Sequence, residues 1–333
     1  LQAIFNLSIT DIINSLSSLV HLYDVPSCME PFSEFLLSQV KSNDQLISPL
    51  ISNSVPLKLS QLIGLTKQDY SKTHLLLLIH IILLSTKENR ELLEQCPYIL
   101  STVFSIESAY EAALIIASHF ARLSDEFNPI LEKEGVFPLC EKCLSSENPN
   151  LRGRSLNVLG NLWKNAASHD ENEQNLFGVT LNLLKSEKDM FVRKQAMFAI
   201  GNFVYNSPEY GDDILKEIDF VLKVLDDANL TSANYLDICD SAAGIICNLL
   251  HKDGQFISKL SSIGAFDRLF AAMSKGKDLG PRVLLRITAL CKYEETRKIL
   301  KLKTNKAIIQ KFNKHQNEEV KNIAISILKI IDA

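Results

Sequence analysis

The sequence predicts an all-α fold in which short helical repeats stack side by side into a right-handed superhelix, and three observations predict it. The first is a repeated phrase at 151–162 and 192–203, where Leu-Arg or Val-Arg is followed nine residues later by Gly-Asn and then Leu or Phe. A weaker copy occupies 238–249. The asparagines of the three copies lie 41 and 46 residues apart and are Asn161, Asn202 and Asn248.

A period of about forty residues is typical of the armadillo and HEAT kinds of α-solenoid, whose repeats bury their apolar faces only by stacking on one another. The second observation is the scarcity of helix breakers, because 12 Gly and 10 Pro among 333 residues suit a nearly all-helical chain. The third is the spacing of the apolar residues, which recur three and four positions apart as amphipathic helices require.

Residues 1–130 are predicted to form irregular helical repeats. Two amphipathic helices are expected within 1–43, separated by Pro26. Breakers interrupt residues 42–72, so short helices joined by loops are expected there. Further helices are predicted at 73–86, 88–95, 98–104, 112–123 and 126–134.

Residues 131–272 contain the regular repeats. Each consists of an apolar helix, a short polar turn, and a helix rich in alanine or serine that ends in Asn-Leu or Asn-Phe. The turns at 146–150 and 185–189 contain the residue types that stop and cap helices. Apolar helices are predicted at 137–144, 176–184 and 214–225.

Residues 273–333 are the divergent end of the array, with helices predicted at 282–291 and 318–331 and a polar flank typical of a terminal cap. Residues 275–329 contain 14 Lys or Arg and 5 Asp or Glu, a net charge of +9. The whole chain has a formal charge of −4, so the remainder carries −13. This basic end could attract an acidic partner, and the alternative is the solvated face of a cap. Its residues are Lys292, Arg297, Lys298, Lys301, Lys303, Lys306, Lys311 and Lys314.

The three regions 1–130, 131–272 and 273–333 are predicted to form one continuous array, because the core of a solenoid grows along a single axis and needs no division by length. Leu1 lies inside a predicted helix. We therefore expect the chain to be a piece of a longer protein.

No stretch of the sequence carries catalytic chemistry. Phosphate-binding glycine loops, the zinc-protease motif and the nucleophile elbow are all missing. The Cys140-x-x-Cys143 spacing is half of a zinc site, but a structural zinc needs four ligands, so we interpret these as two small helical residues. The seven scattered cysteines predict reduced thiols in an intracellular compartment. We expect no enzymatic activity, cofactor, metal or membrane span.

The candidate binding site is the asparagine ladder, formed by Asn161, Asn202 and Asn248. Equivalent positions of successive repeats should line one surface at regular intervals, in a concave groove. A carboxamide both donates and accepts hydrogen bonds, so a row of them can hold the backbone of an extended peptide. The alternative is that each asparagine satisfies the backbone of the neighbouring repeat.

Two phrases carry a resemblance to a known family. The sequence AMFAIGNFVY at 196–205 resembles the AFAIGN repeat in the C-terminal armadillo region of Fused-family serine/threonine kinases. The next repeat, DSAAGIICNLL at 240–250, is similar to the phrase NAAGALGNLVRN that accompanies it. The resemblance covers roughly residues 135–272. Asp240 and Ser241 depart from it, since that family often has basic or amide residues there, and Ile246-Cys247 replaces Leu-Gly.

The resemblance implies a scaffold whose serine/threonine kinase domain lies N-terminal to this chain, so no catalytic residue is carried over. It also implies a kinesin-like partner and a role in the cytoplasm, at a cilium or another microtubule structure. Nuclear import adaptors also contain armadillo repeats, with a Trp four residues before each Asn. Here Asn157, Phe198 and Gly244 occupy those positions, which argues against an import adaptor.

We therefore expect a non-catalytic scaffold that docks a peptide or helix of a partner protein. The alternative function is direct binding of an acidic polymer, tubulin tails or RNA, through the basic end. A protein partner is favoured over nucleic acid.

Overall fold

The structure is a computed structural model that describes residues 11, 26–52, 55–66, 69–84, 100–101, 103–104, 106–166, 170–226, 233–251, 254–275 and 279–333. Every regular element in those ranges is helical, which confirms the predicted all-α solenoid class. The α-helices are α1 Pro26–Ser42, α2 Ile47–Ser52, α3 Val55–Leu65, α4 Asp69–Leu84, α5 Tyr110–Leu123, α6 Asn128–Lys133, α7 Val136–Leu144, α8 Pro149–Asn165, α9 Glu171–Ser186, α10 Met190–Asn206, α11 Gly211–Lys216, α12 Ile218–Asp226, α13 Ala233–His251, α14 Phe256–Ser262, α15 Ala265–Lys275, α16 Leu279–Leu290, α17 Glu294–Lys301, α18 Lys303–Lys311 and α19 Glu318–Asp332.

Polar side chains in the turns begin several of these helices. Asp170 accepts from the backbone N–H of Glu173, whose carboxylate accepts from the backbone N–H of Asp170, so a complete capping box starts α9. Asp189 caps α10 and Asn317 caps α19 in the simpler way, each accepting from two backbone N–H groups. The polar turns therefore determine where the apolar helices begin.

The chain divides into two compact units, residues 1–162 and 163–333. In the first unit, α4 packs against α1, α3 and α5, and α5 packs against α7. Leucines and isoleucines that are fully buried, including Leu59, Leu62, Leu75 and Ile79, form its core. The predicted regions 1–130, 131–272 and 273–333 were drawn by how regular the repeats are, whereas the two units are defined by how compactly the chain packs. The three regions therefore remain a prediction.

The second unit has two layers of helices. In one layer α10, α13, α16 and α19 pack side by side, and α12, α15 and α18 of the other layer pack against them. Near the start of this unit Phe203 is stacked on Phe177, with ring centroids 4.2 Å apart, and meets Trp163 and Tyr210 edge-on at 5.0 and 5.3 Å. This aromatic cluster buries more apolar surface than aliphatic residues would at the same positions.

A short helix followed by a longer one occurs in three places: α6–α7 before α8, α11–α12 before α13, and α14–α15 before α16. Gly135 and Gly264 make two of these junctions with φ of +82° and +71°, a conformation that favours glycine. At the third junction Glu217 interrupts the single helix predicted at 214–225. That prediction was wrong because this junction contains no glycine to reveal it.

The helices predicted at 73–86, 112–123, 126–134, 137–144, 176–184, 282–291 and 318–331 are confirmed within a few residues at each end. The short helices expected in 42–72 are also present. The first N-terminal helix, the helix at 88–95 and most of 98–104 fall outside the described residues. The sequence patterns do not predict α14, α17 and α18, which have seven to nine residues each.

Candidate protein-binding faces

Asn161 of the asparagine ladder lies inside the first unit and is 5% exposed. Its Nδ2 donates to Ser118 Oγ at 2.9 Å and to the carbonyl oxygen of Asn157 at 2.9 Å. Ser118 Oγ in turn donates to Asn157 Oδ1, so three side chains join α5 to α8. The carboxamide of Asn161 therefore ties neighbouring helices together.

Asn202 and Asn248 lie on neighbouring helices of the second unit, α10 and α13, and both are half-buried. Asn248 Nδ2 donates to the carbonyl oxygen of Gly201 at 2.8 Å. At this position the asparagine satisfies the backbone of the preceding repeat, as the alternative interpretation anticipated. A role for the ladder in holding a peptide backbone stays a prediction.

Other side chains stabilise helix ends that the repeat pattern did not single out. Asn206 Nδ2 donates to the carbonyl oxygens of Trp163 and Lys164, at 2.6 and 3.1 Å. Arg152 Nη1 donates to the carbonyl oxygens of Ser146 and Glu147. The Asn206 bonds lie at the C-terminal end of α8, and the Arg152 bonds hold the turn between α7 and α8. The recurrence of Asn four residues after the ladder position, at 165 and 206, was the available signal.

Arg297 repeats the arrangement of Arg152 near the end of the chain. Its Nη1 donates to the carbonyl oxygens of Cys291 and Lys292, at 2.8 and 3.0 Å. In both places the arginine lies six and five residues after the carbonyls that it binds. The Arg297 side chain therefore stabilises the turn between α16 and α17.

A network of ion pairs crosses the layer of α10, α13 and α16. Lys194 Nζ lies 2.7 Å from Asp237 Oδ2, and Arg282 Nη1 lies 3.5 Å from Asp237 Oδ1 and 3.6 Å from Asp240 Oδ2. Arg286 Nη2 completes the network, 3.5 Å from Asp240 Oδ2. The hydrogen bond from Lys194 is the main cause that lowers the pKa of Asp237. The exposed side of these three helices is called the central face below, and its polar residues are Lys194, Asn202, Asp237, Asp240, Asn248, Arg282 and Arg286.

The eight residues of the basic end differ in whether they form ion pairs with the described residues. Lys298 pairs with Glu294 at 2.8 Å, and Lys306 pairs with Asp332 at 2.5 Å. Lys292 lies over the ring of Tyr293, with its Nζ 4.8 Å from the centroid. The remaining cations are exposed and form no ion pair with the described residues; they are Lys301, Lys303, Lys311 and Lys314.

The described residues contain no group of three or more His, Cys, Asp or Glu that could hold a metal ion. Burial raises the pKa values of the Cys140 and Cys143 thiols, which disfavours the nucleophilic thiolate. Among the same residues, no helix combines the length and the apolar character that crossing a membrane requires.

Comparisons with known proteins agree with this architecture. An engineered protein of a structural genomics consortium superimposes over 97% of this chain and 99% of its own, with a TM-score of 0.57 and 14% identity. A second engineered protein covers 70% of this chain and 98% of its own, with a TM-score of 0.58 and 13% identity.

A third solved structure is a computationally designed armadillo repeat protein for modular peptide recognition. It covers 69% of this chain and 98% of its own, with a TM-score of 0.53 and 20% identity. No family model matches the chain, and the search of curated proteins gave no match either. At these identities the likeness concerns the fold alone: the chain has the fold of an armadillo-like helical solenoid.

Proposed function

We propose that this chain is a non-catalytic scaffold that docks a peptide or helix of a partner protein on the central face. The observation that carries the proposal is the arrangement of α10, α13 and α16, which pack side by side and leave polar side chains half-exposed along one layer. A solenoid of this kind offers an extended surface for binding. The similarity in fold to an armadillo protein designed for peptide recognition supports the same class of function.

We further propose that the chain is the C-terminal arm of a Fused-like serine/threonine kinase that acts with a kinesin-like partner in the cytoplasm, at a cilium or another microtubule structure. The support for this finer assignment is the sequence resemblance at 196–205 and 240–250. The two phrases fall on α10 and α13, which are two of the three helices of the central face.

Selection of displayed random peptides on the purified chain tests the scaffold function. We expect binders whose affinity falls when Asn202 or Asn248 is changed to Ala. Asn182→Ala is the matched control, because Asn182 is an exposed asparagine on α9, away from the central face. The absence of any enriched peptide would contradict the proposal, and equal loss in the control would place the binding elsewhere.

A second candidate function is attachment to an acidic tubulin tail through the basic end. The observation that favours it is the set of four exposed lysines that form no ion pair with any residue the structure describes. Two of them, Lys301 and Lys303, flank an apolar side chain in the sequence, Leu302, that is 53% exposed. Exposed cations without local partners attract acidic polymers, and this attraction is screened by salt.

Co-sedimentation with microtubules at low and high salt tests this candidate. Lys301, Lys303 and Lys311 changed together to Glu should abolish pelleting at low salt. The control changes three exposed lysines elsewhere, Lys133, Lys164 and Lys188, to Glu. Equal pelleting of both variants would refute attachment through the basic end, and so would a preference for RNA in a competition arm.

A further inference from the structure

The three helices of the central face carry very few charges, and those charges form a pattern. Helix α10 has two cations, α13 has two anions and α16 has two cations. The central face itself has three of the basic residues and both acidic ones, 3 − 2 = +1, although the whole chain is negative. Five of the six belong to the ion-pair network, and the sixth is Arg193, which is half-buried on α10.

The side chains of Arg282 and Arg286 are more exposed to solvent than that of Asp240, the aspartate with which both of them pair. The side chains of Arg282 and Arg286 are 50% and 36% exposed, whereas that of Asp240 is 21% exposed. Asp240 Oδ1 is fully buried and accepts no hydrogen bond from the described residues. Asp240 thus lies beneath the two arginines, whereas the Asp237 side chain is 42% exposed and pairs with Lys194 and Arg282. A ligand that approaches above Asp240 therefore meets the guanidinium groups of Arg282 and Arg286.

Because Gly244 has no side chain, the guanidinium group of Arg286 can pack directly against α13. A Cβ atom at position 244 would stand 3.3 Å from Arg286 Nη1 and 3.5 Å from Cζ, tighter than or close to ordinary contact. The guanidinium therefore rests on a helix surface that lacks a side chain, with Asp240 Oδ2 holding one edge. An arginine held in this way loses less side-chain entropy when it binds a ligand than a free arginine does.

Building on the proposed scaffold function, we propose that the α13–α16 part of the central face binds an acidic segment of the partner, with Asp or Glu side chains received by Arg282 and Arg286. The planar guanidinium forms two parallel hydrogen bonds with a carboxylate. Leu285, 57% exposed and adjacent to Arg286 in sequence, offers an apolar contact beside this site. The preferred segment therefore combines carboxylates with an apolar side chain.

The charges of the peptides selected on the chain test the inference separately from the scaffold function. We expect enriched sequences rich in Asp and Glu, with an apolar residue nearby. Enrichment of neutral or basic peptides would overturn the inference and leave the scaffold function standing. The absence of enrichment would overturn both.

Arginine variants then show whether the acidic peptides bind at this place. The affinity of the best selected peptide for Arg282→Gln and Arg286→Gln should fall about tenfold each, the loss expected for a hydrogen bond to a charged group. The matched control is Arg268→Gln, because Arg268 is 38% exposed and lies 3.4 Å from Asp226 on a different layer. A thermal melt of each variant checks that the chain stays folded.

Changing Glu to Gln in the peptide should abolish the difference between the wild type and Arg286→Gln. Acidic peptides that bind both arginine variants as tightly as the wild type would overturn the inference, because the carboxylates would then be received elsewhere, for instance at the basic end. A fall in affinity for the Arg268 control equal to that for Arg286→Gln would overturn it as well.

Discussion

Single small residues set how closely neighbouring helices approach in the second unit. Ala196 on α10 and Ala242 on α13 occupy equivalent positions of two repeats, and both are fully buried where these helices pack. No larger side chain fits there without moving a helix or adopting an unfavourable rotamer.

Replacing Ala196 with Leu should therefore destabilise the chain by ~1–3 kcal/mol, because the added carbons have no free volume to occupy. The measurement is the free energy of unfolding in denaturant. Ala271→Leu provides the control, since Ala271 is exposed on α15 and should tolerate the change within ~0.5 kcal/mol. Equal stability of the wild type and Ala196→Leu would mean that the packing around Ala196 is loose.

Buried thiols give a second prediction at this scale. Burial raises the pKa of Cys247 to about 12 and that of Cys291 to about 11, so neither forms thiolate near neutral pH. With Cys28 and Cys96 changed to Ser, the five remaining thiols should not react with a disulfide reagent at pH 8 until the chain is unfolded. These thiols, all buried, are Cys140, Cys143, Cys239, Cys247 and Cys291. Fast reaction of the native variant would show that one of them is accessible.

At the scale of the element, a glycine can determine whether a helix packs against a turn from a later part of the chain. Gly280 is the second residue of α16, and a Cβ atom there would stand 2.3 Å from Phe312 Cζ, in the 3₁₀ turn Phe312–Lys314. A Cβ atom at Gly178 on α9 would instead meet no atom within 4 Å. Packing therefore requires a glycine at position 280 and does not require one at position 178.

Gly280→Ala should destabilise the chain by ~1–3 kcal/mol, because the methyl group overlaps the Phe312 ring. Gly178→Ala should stabilise it by ~0.5–1 kcal/mol, because alanine is the better helix former. Calorimetric melts of both variants check the opposite signs. In a Phe312→Ala background most of the effect of Gly280→Ala should be lost, because the Met273 carbonyl oxygen, 3.2 Å from the added Cβ, is then the close contact that remains. Persistence of the full penalty would show that the ring is not its cause.

At the scale of the whole molecule, each repeat contacts mainly its neighbours, so its stability is close to a sum of local terms. Helix α16 packs against α13, α15 and α19 in the second unit. A substitution at Gly280 should therefore lower the local stability of that unit before it affects the first unit.

Hydrogen exchange in the Gly280→Ala variant tests this locality. Amide protection should fall in α16 and in its neighbours α13, α15 and α19, and should remain unchanged in 26–84. The Gly178→Ala variant is the control for a change that creates no overlap. A uniform loss of protection along the chain would show that the array unfolds as one cooperative unit.

The sequence by itself determined the fold class, the positions of most helices and the turns between them. These properties depend on local periodicity and on capping residues such as Asp170 and Asp189, which act within a few positions of the chain. The repeat period also identified Asn161, Asn202 and Asn248 as equivalent positions. It could not tell whether they face a ligand or a neighbouring helix.

Only the tertiary structure decided how those side chains are used. Asn161 donates a hydrogen bond to Ser118, 43 residues earlier, and Asn248 donates one to the carbonyl oxygen of Gly201, 47 residues earlier. The network of Lys194, Asp237 and Arg282 also joins residues more than forty positions apart. Such contacts depend on the register in which successive helices pack, and a one-dimensional pattern contains no information about that register until the helices are stacked.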